Sequence, residues 1–151
     1  MNIIKESFNI KETTSFAKEL AKGAKAGQIY LLSGDLGTGK TVFAKGFAEG
    51  LGVTEIVNSP TFTIMQTYES GRLPLYHFDV YRIGDEEEMY ELGYEEYFFG
   101  NGVCLIEWAE LIEGLIPEDA IQILIEKNID KGFDYRTISV KGDVSYEASC
   151  S

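Results

Sequence analysis

Eight consecutive residues, Gly34-Asp35-Leu36-Gly37-Thr38-Gly39-Lys40-Thr41, have the types and order needed to hold a polyphosphate, the pattern G-x-x-x-x-G-K-S/T. The glycines let the backbone wrap closely where side chains would obstruct it. Successive N–H groups then converge on anionic oxygens. A helix starting near Lys40 adds the positive end of its dipole. Lys40 places a cation between the outer phosphates, and the Thr41 hydroxyl is a hard oxygen ligand suited to Mg²⁺. The pattern predicts a nucleotide site running from Gly34 to Val42.

Binding alone needs no more than this, but hydrolysis needs a carboxylate on the metal side and a group that places water. Glu107 closes the apolar run Val103-Cys104-Leu105-Ile106 and is the candidate for the first role. Asp79, in His77-Phe78-Asp79-Val80-Tyr81-Arg82, either orders water at the γ-phosphate or pairs with Arg82. His77 is the sole histidine, and a packed or hydrogen-bonded strand position suits it better than the role of base. Ser59-Pro60-Thr61-Phe62-Thr63 is either a hydroxyl-bearing loop that senses the γ-phosphate or a turn fixed by Pro60 with local hydroxyl hydrogen bonds. Trp108 follows Glu107; packing is its simplest role, and its place makes it a reporter of the site.

These residues need elements to position them. Asn9 and Glu12 stand at capping-box spacing. Phe16, Ala17, Leu20, Ala21 and Ala24 then mark one helical face, with Gly27 after its end. Residues 28–33 read as a buried strand before the glycine loop. Phe43, Ala44, Phe47, Ala48 and Leu51 mark the helix after it. Two strands, 62–69 and 72–80, meet at Ser70-Gly71 as a hairpin. A helix over 86–97 breaks near Gly93. Val103–Ile106 is a second buried strand. Residues 121–126 and 136–141 alternate as an antiparallel pair with one solvated face. Strands and helices alternate early, and strands dominate later. The expectation is a three-layer α/β fold of P-loop NTPase type, with a mixed, mainly parallel central sheet and late antiparallel strands.

The chain has 151 residues and a formal net charge of −12, a length that suits one domain spanning 1–151, with a peripheral tail from about 142. Such charge argues against a direct grip on nucleic acid or anionic membranes. The imbalance is uneven: residues 1–50 carry seven lysines against five acids, whereas seven acids crowd between Asp85 and Glu96. That run reads as a solvated face or as a docking surface for a basic partner. Two distant cysteines, Cys104 and Cys150, form neither a disulfide framework nor a metal set. No signal region or membrane-length run is visible, so a reducing cytoplasm is the expected compartment.

GDLGTGKT at 34–41, NSPTFTI at 58–64, LYHFDVYRI at 75–83 and LIEWAE at 105–110 resemble, in order and spacing, the TsaE (YjeE) family of small bacterial ATPases. The likeness extends from the Asn9 helix to the last strand pair. The resemblance implies a slow, partner-dependent ATPase using ATP/ADP and Mg²⁺. It implies action on a TsaB–TsaD-type complex that makes threonylcarbamoyladenosine in tRNA, with tRNA met only through those partners and no membrane. Carried over by position, Lys40 binds phosphates, Thr41 and Glu107 hold Mg²⁺, Asp79 acts at the γ-phosphate, and Thr61 belongs to a switch loop. Thr13 and Arg136 fall where the family places its base pocket.

Two other classes compete. A small-molecule P-loop kinase would supply several lid arginines, whereas this chain has only Arg72, Arg82 and Arg136. A GTPase-like switch would carry an N-K-x-D loop, and Asn128-Ile129-Asp130-Lys131 lacks that order.

Overall fold

The computed structural model describes residues 2–35, 38–57 and 64–144. Among them, seven strands form one sheet. They are β1 (Asn2–Ser7), β2 (Ile29–Ser33), β3 (Met65–Tyr68), β4 (Leu75–Asp79), β5 (Val103–Glu107), β6 (Ile121–Lys127) and β7 (Arg136–Lys141). Their order is β1-β7-β6-β2-β5-β4-β3. The central strands β6, β2, β5 and β4 run parallel. The outer pairings β4–β3, β6–β7 and β7–β1 are antiparallel. The mixed sheet with a parallel centre and late antiparallel strands is therefore present.

Strand alternation divides the core in two. Tyr30, Leu32, Leu105, Ile123 and Ile125 face α1 (Ile10–Lys22) and α2 (Lys40–Gly50). Ile29, Phe78, Cys104 and Ile106 face α3 (Glu87–Leu92) and α4 (Tyr94–Phe98). This gives the three layers. With helices on both faces, every residue of β5 is buried. β6 instead keeps Gln122, Leu124 and Glu126 in water and buries Ile121, Ile123 and Ile125. Val144 also packs into the first core.

The Asn9 side chain accepts from the Glu12 N–H at 2.8 Å, and Glu12 Oε1 accepts from the Phe8 N–H at 3.0 Å. The expected capping interaction thus starts α1. The helix ends at Lys22, earlier than the apolar spacing implied, so Ala24 is buried outside it. Gly23 is the C-cap, and a side chain from elsewhere in the chain takes up the freed carbonyls. The Arg72 guanidinium donates to the carbonyls of Ala21, Lys22 and Ala24, satisfying groups a longer helix would have used. The expected helix over 86–97 is two short ones, turned at Gly93 with φ +77°. β1 was not anticipated. It is a mostly exposed edge strand paired with β7, and its sequence carries no apolar alternation.

Candidate functional site

The parallel register brings three strand ends together. Leu32 of β2 pairs with Glu107 of β5, which pairs in turn with Asp79 of β4. Glu107 therefore lies beside the strand that feeds the glycine loop, as its sequence position predicted. The chain leaves β2 at Ser33 and enters the loop through Gly34. A Cβ there would stand 2.6 Å from Thr38 Oγ1 and 2.7 Å from the Ile125 carbonyl oxygen, so only glycine fits. The buried Thr38 hydroxyl donates to the Asp35 carbonyl at 2.7 Å, and Arg136 Nε donates to the Thr38 carbonyl at 2.6 Å. Gly39 then turns the chain at φ +98° and begins α2. Its N-cap, Gly39, has no side chain to cap α2, and the first turn has no acid. An uncapped first turn presents backbone N–H groups and positive potential to an anion.

These groups open on a cavity of about 580 Å³, within the ordinary range for a small-molecule site. Gly39, Lys40, Thr41, Val42, Asp79 and Glu107 line it, and so do Thr13 and Arg136. Gly34, Asp35 and Thr38 shape the loop behind it. Leu36, Gly37 and Thr61, with the whole 59–63 segment, lie outside the described residues. Arg136 also donates to the carbonyls of Phe133 and Tyr135. It braces the wall as well as facing the cavity. Thr13 is buried, with its hydroxyl 2.7 Å from that of Ser7.

The far wall contains residues the sequence did not single out: Ile10, Lys127, Ile129, Phe133 and Asp134. Ile10, Ile129 and Phe133 are large apolar side chains left exposed. An exposed phenylalanine in a polar connection was the one sequence signal available for them.

Trp108 has φ +64°, alone among the described non-glycine residues in the left-handed region. Such a conformation costs a large residue roughly 1–2 kcal/mol. It turns the chain sharply after Glu107 and sets the indole on the cavity wall. Lys40 Nζ sits 4.6 Å from that ring's centroid, and Tyr81 packs on it at 4.9 Å. Trp108 is thus a wall residue in contact with the loop lysine.

Asp79 Oδ1 accepts from the Tyr81 N–H at 3.1 Å. Burial pushes the Asp79 carboxyl up; the Tyr81 amide opposes this, the Glu107 carboxylate adds to it, and His77 and Lys40 pull it back. His77 is buried, with Nε2 2.8 Å from Glu107 Oε2. It is the hydrogen-bonded strand residue expected.

The family model for threonylcarbamoyl adenosine biosynthesis protein TsaE matches residues 7–138. The chain belongs to the TsaE family. The TsaE match spans every residue of the cavity wall. A Bacillus subtilis (strain 168) relative named tRNA threonylcarbamoyladenosine biosynthesis protein TsaE is 56% identical over 131 residues, covering 87% of this chain and 80% of that protein. A Treponema pallidum protein of the same name is 40% identical over 117 residues, covering 78% and 86%. The crystal structure of YdiB from Bacillus subtilis superposes with a TM-score of 0.79 at 48% identity, over 93% of this chain and 84% of that one. TsaE membership and the α/β architecture therefore agree. Among the described residues, no helix is long and apolar enough to cross a membrane.

Proposed function

We propose that this chain binds ATP in the cavity with Mg²⁺, hydrolyses it slowly, and applies that cycle to a TsaB–TsaD-type complex in tRNA threonylcarbamoyladenosine biosynthesis. One observation carries the reading: the uncapped start of α2, Lys40, Thr41, Asp79 and Glu107 all face one cavity. The donor set fits the metal. A threonine hydroxyl and one carboxylate suit Mg²⁺, which keeps waters and phosphate oxygens as its other ligands. Bound there, Mg²⁺ would neutralise phosphate charge. Lys40 leaves the Trp108 ring to meet phosphate oxygens, and the first-turn amides of α2 supply further donors. Asp79, its ionised form disfavoured by burial, is placed to accept a hydrogen bond from attacking water.

Two of the three arginines support hydrolysis over phosphoryl transfer under a cationic lid. Arg72 caps α1 and Arg136 braces the loop through Thr38. The acidic α3–α4 segment, with Glu87, Glu88, Glu91, Glu95 and Glu96 exposed, offers a basic partner a docking face. The test is ATP binding and phosphate release with and without Mg²⁺, alongside co-purification with the two partners in ATP and in its absence. Metal-dependent phosphate release and nucleotide-sensitive association are expected. Tighter binding of GTP than ATP, or robust phosphoryl transfer to a nucleoside, would replace this reading.

A further inference from the structure

We propose that His77 is a positioning residue for Glu107: its Nε2–H fixes the carboxylate so that the opposite oxygen serves the cavity. This rests on the reading of Glu107 as the metal-side carboxylate.

The pair is enclosed. His77 is 1% exposed and Glu107 5%, with 2.8 Å between Nε2 and Oε2. With Glu107 acting as a carboxylate, as the metal-side role requires, Oε2 accepts and Nε2 carries the proton. The other ring nitrogen decides what the bond is for. Nδ1 is buried and has no hydrogen-bond partner among the described residues. A side chain kept only to fill the core would do better as phenylalanine or leucine, which bury no orphaned polar atom. The ring is unfavourable at one edge and well placed at the other, so its Nε2 edge accounts for its presence.

Strand geometry supplies the rest. β4 pairs with β5 so that His77 faces Leu105 and Asp79 faces Glu107. Positions 77 and 79 share one face of β4 by strand alternation. The same face therefore sends Asp79 to the cavity wall and His77 to the Glu107 carboxylate, one register step behind. Glutamate has three side-chain torsions to fix. A buried donor on Oε2 removes that freedom and leaves Oε1 as the oxygen available to the cavity. Partners of a metal-side ligand commonly change metal affinity or activity by 10- to 100-fold when removed.

The test compares wild type with His77→Phe, which keeps the ring volume but has no donor, and with His77→Gln, which restores an N–H at similar reach. ADP affinity measured in EDTA should be unchanged in all three. Mn²⁺ affinity of the ADP complex, read from the paramagnetic signal of free Mn²⁺, should fall about tenfold in His77→Phe. kcat should fall at constant KM, and His77→Gln should recover both. Wild-type Mn²⁺ affinity in His77→Phe overturns the proposal. So does a parallel loss of metal-free ADP binding, or a folded His77→Gln that recovers nothing. Should His77→Phe not fold, His77→Asn takes its place, because its shorter amide withdraws the donor from Oε2. Should wild type bind no nucleotide, the nucleotide reading fails separately. Crystal structures of nucleotide-free wild type and His77→Phe then decide this proposal: a displaced Glu107 carboxylate supports it, and an unmoved one overturns it.

Discussion

Asp79 and Glu107 are register partners at the ends of adjacent parallel strands, so two carboxylates reach one cavity wall from β4 and β5. Their environments differ. Glu107 is buried against His77, whereas Asp79 is half-buried and held by the Tyr81 amide. Under the proposed function, Glu107 serves the metal and Asp79 the water. Asp79→Ala and Glu107→Ala should each lower the ATP hydrolysis rate by about 10²-fold or more. Nucleotide affinity should change far less, because Lys40 and the α2 amides remain. Steady-state phosphate release beside equilibrium titration separates the two effects, and unchanged hydrolysis in both variants removes these carboxylates from the mechanism.

The contact of Lys40 with Trp108 makes the indole a gauge of the lysine's position. Nucleotide should alter Trp108 emission in wild type as the ammonium transfers to phosphate. Lys40→Ala should abolish nucleotide binding and shift the emission of the free protein. Fluorescence titration reads both, and a silent wild-type titration with binding confirmed by calorimetry places the ring outside the ligand's reach.

Gly46 of α2 tests how closely the two helices must approach. Alanine gains about 1 kcal/mol of helix propensity over glycine. A Cβ at 46, however, would lie 2.8 Å from the Thr14 carbonyl oxygen and 3.0 Å from Ala17 Cβ. Backbone of α1 cannot swing aside as a long side chain can, and overpacking costs about 1–3 kcal/mol. Gly46→Ala should therefore be less stable than wild type in urea unfolding. A raised midpoint would show that α1 shifts freely.

Glu6 ties β1 to the connection ahead of β7. Its carboxylate accepts from the Tyr135 hydroxyl at 2.6 Å and lies 3.6 Å from Lys131 Nζ. The Tyr135 hydrogen bond, with Lys131 second, holds the Glu6 carboxyl below its usual range. A folded value below the unfolded one gives stability that is present above the unfolded pKa. It is lost as pH falls through the folded one. Glu6→Gln should flatten the acid side of the stability profile and leave the alkaline side to the other groups. Urea midpoints across the carboxylate range measure it, and identical acid slopes would mean that the exposed pair contributes nothing.

Much of the site was legible because its parts are local. The glycine loop, the capping of α1 by Asn9 and the apolar run ending at Glu107 each lie within about a dozen residues. Their chemistry follows from spacing. β1 escaped because an edge strand with exposed Ile4, Lys5 and Glu6 has no inward face to announce it. Its partner, β7, lies at the other end of the chain. The early end of α1 falls at Gly23, and the Arg72 guanidinium that takes up its carbonyls comes from some fifty residues away. Ile129 and Phe133 showed no periodicity, because they serve a wall open to water. Helical and strand patterns report what is buried, and they are silent about exposed apolar groups that line a cavity.

The parallel centre of the sheet also governs when the cavity comes into being. Neighbouring parallel strands cannot be joined by a tight turn, so each such pairing waits for a crossover. The wall draws on Ile10 and Thr13 near the start of the chain and on Arg136 near its end. A nascent chain that has emerged only as far as β6 carries the glycine loop but lacks the guanidinium that braces Thr38. Contacts this distant in sequence form slowly. The complete wall therefore exists only once β7 has joined the sheet. Any ligand that binds only the finished wall draws the chain toward its native state by mass action.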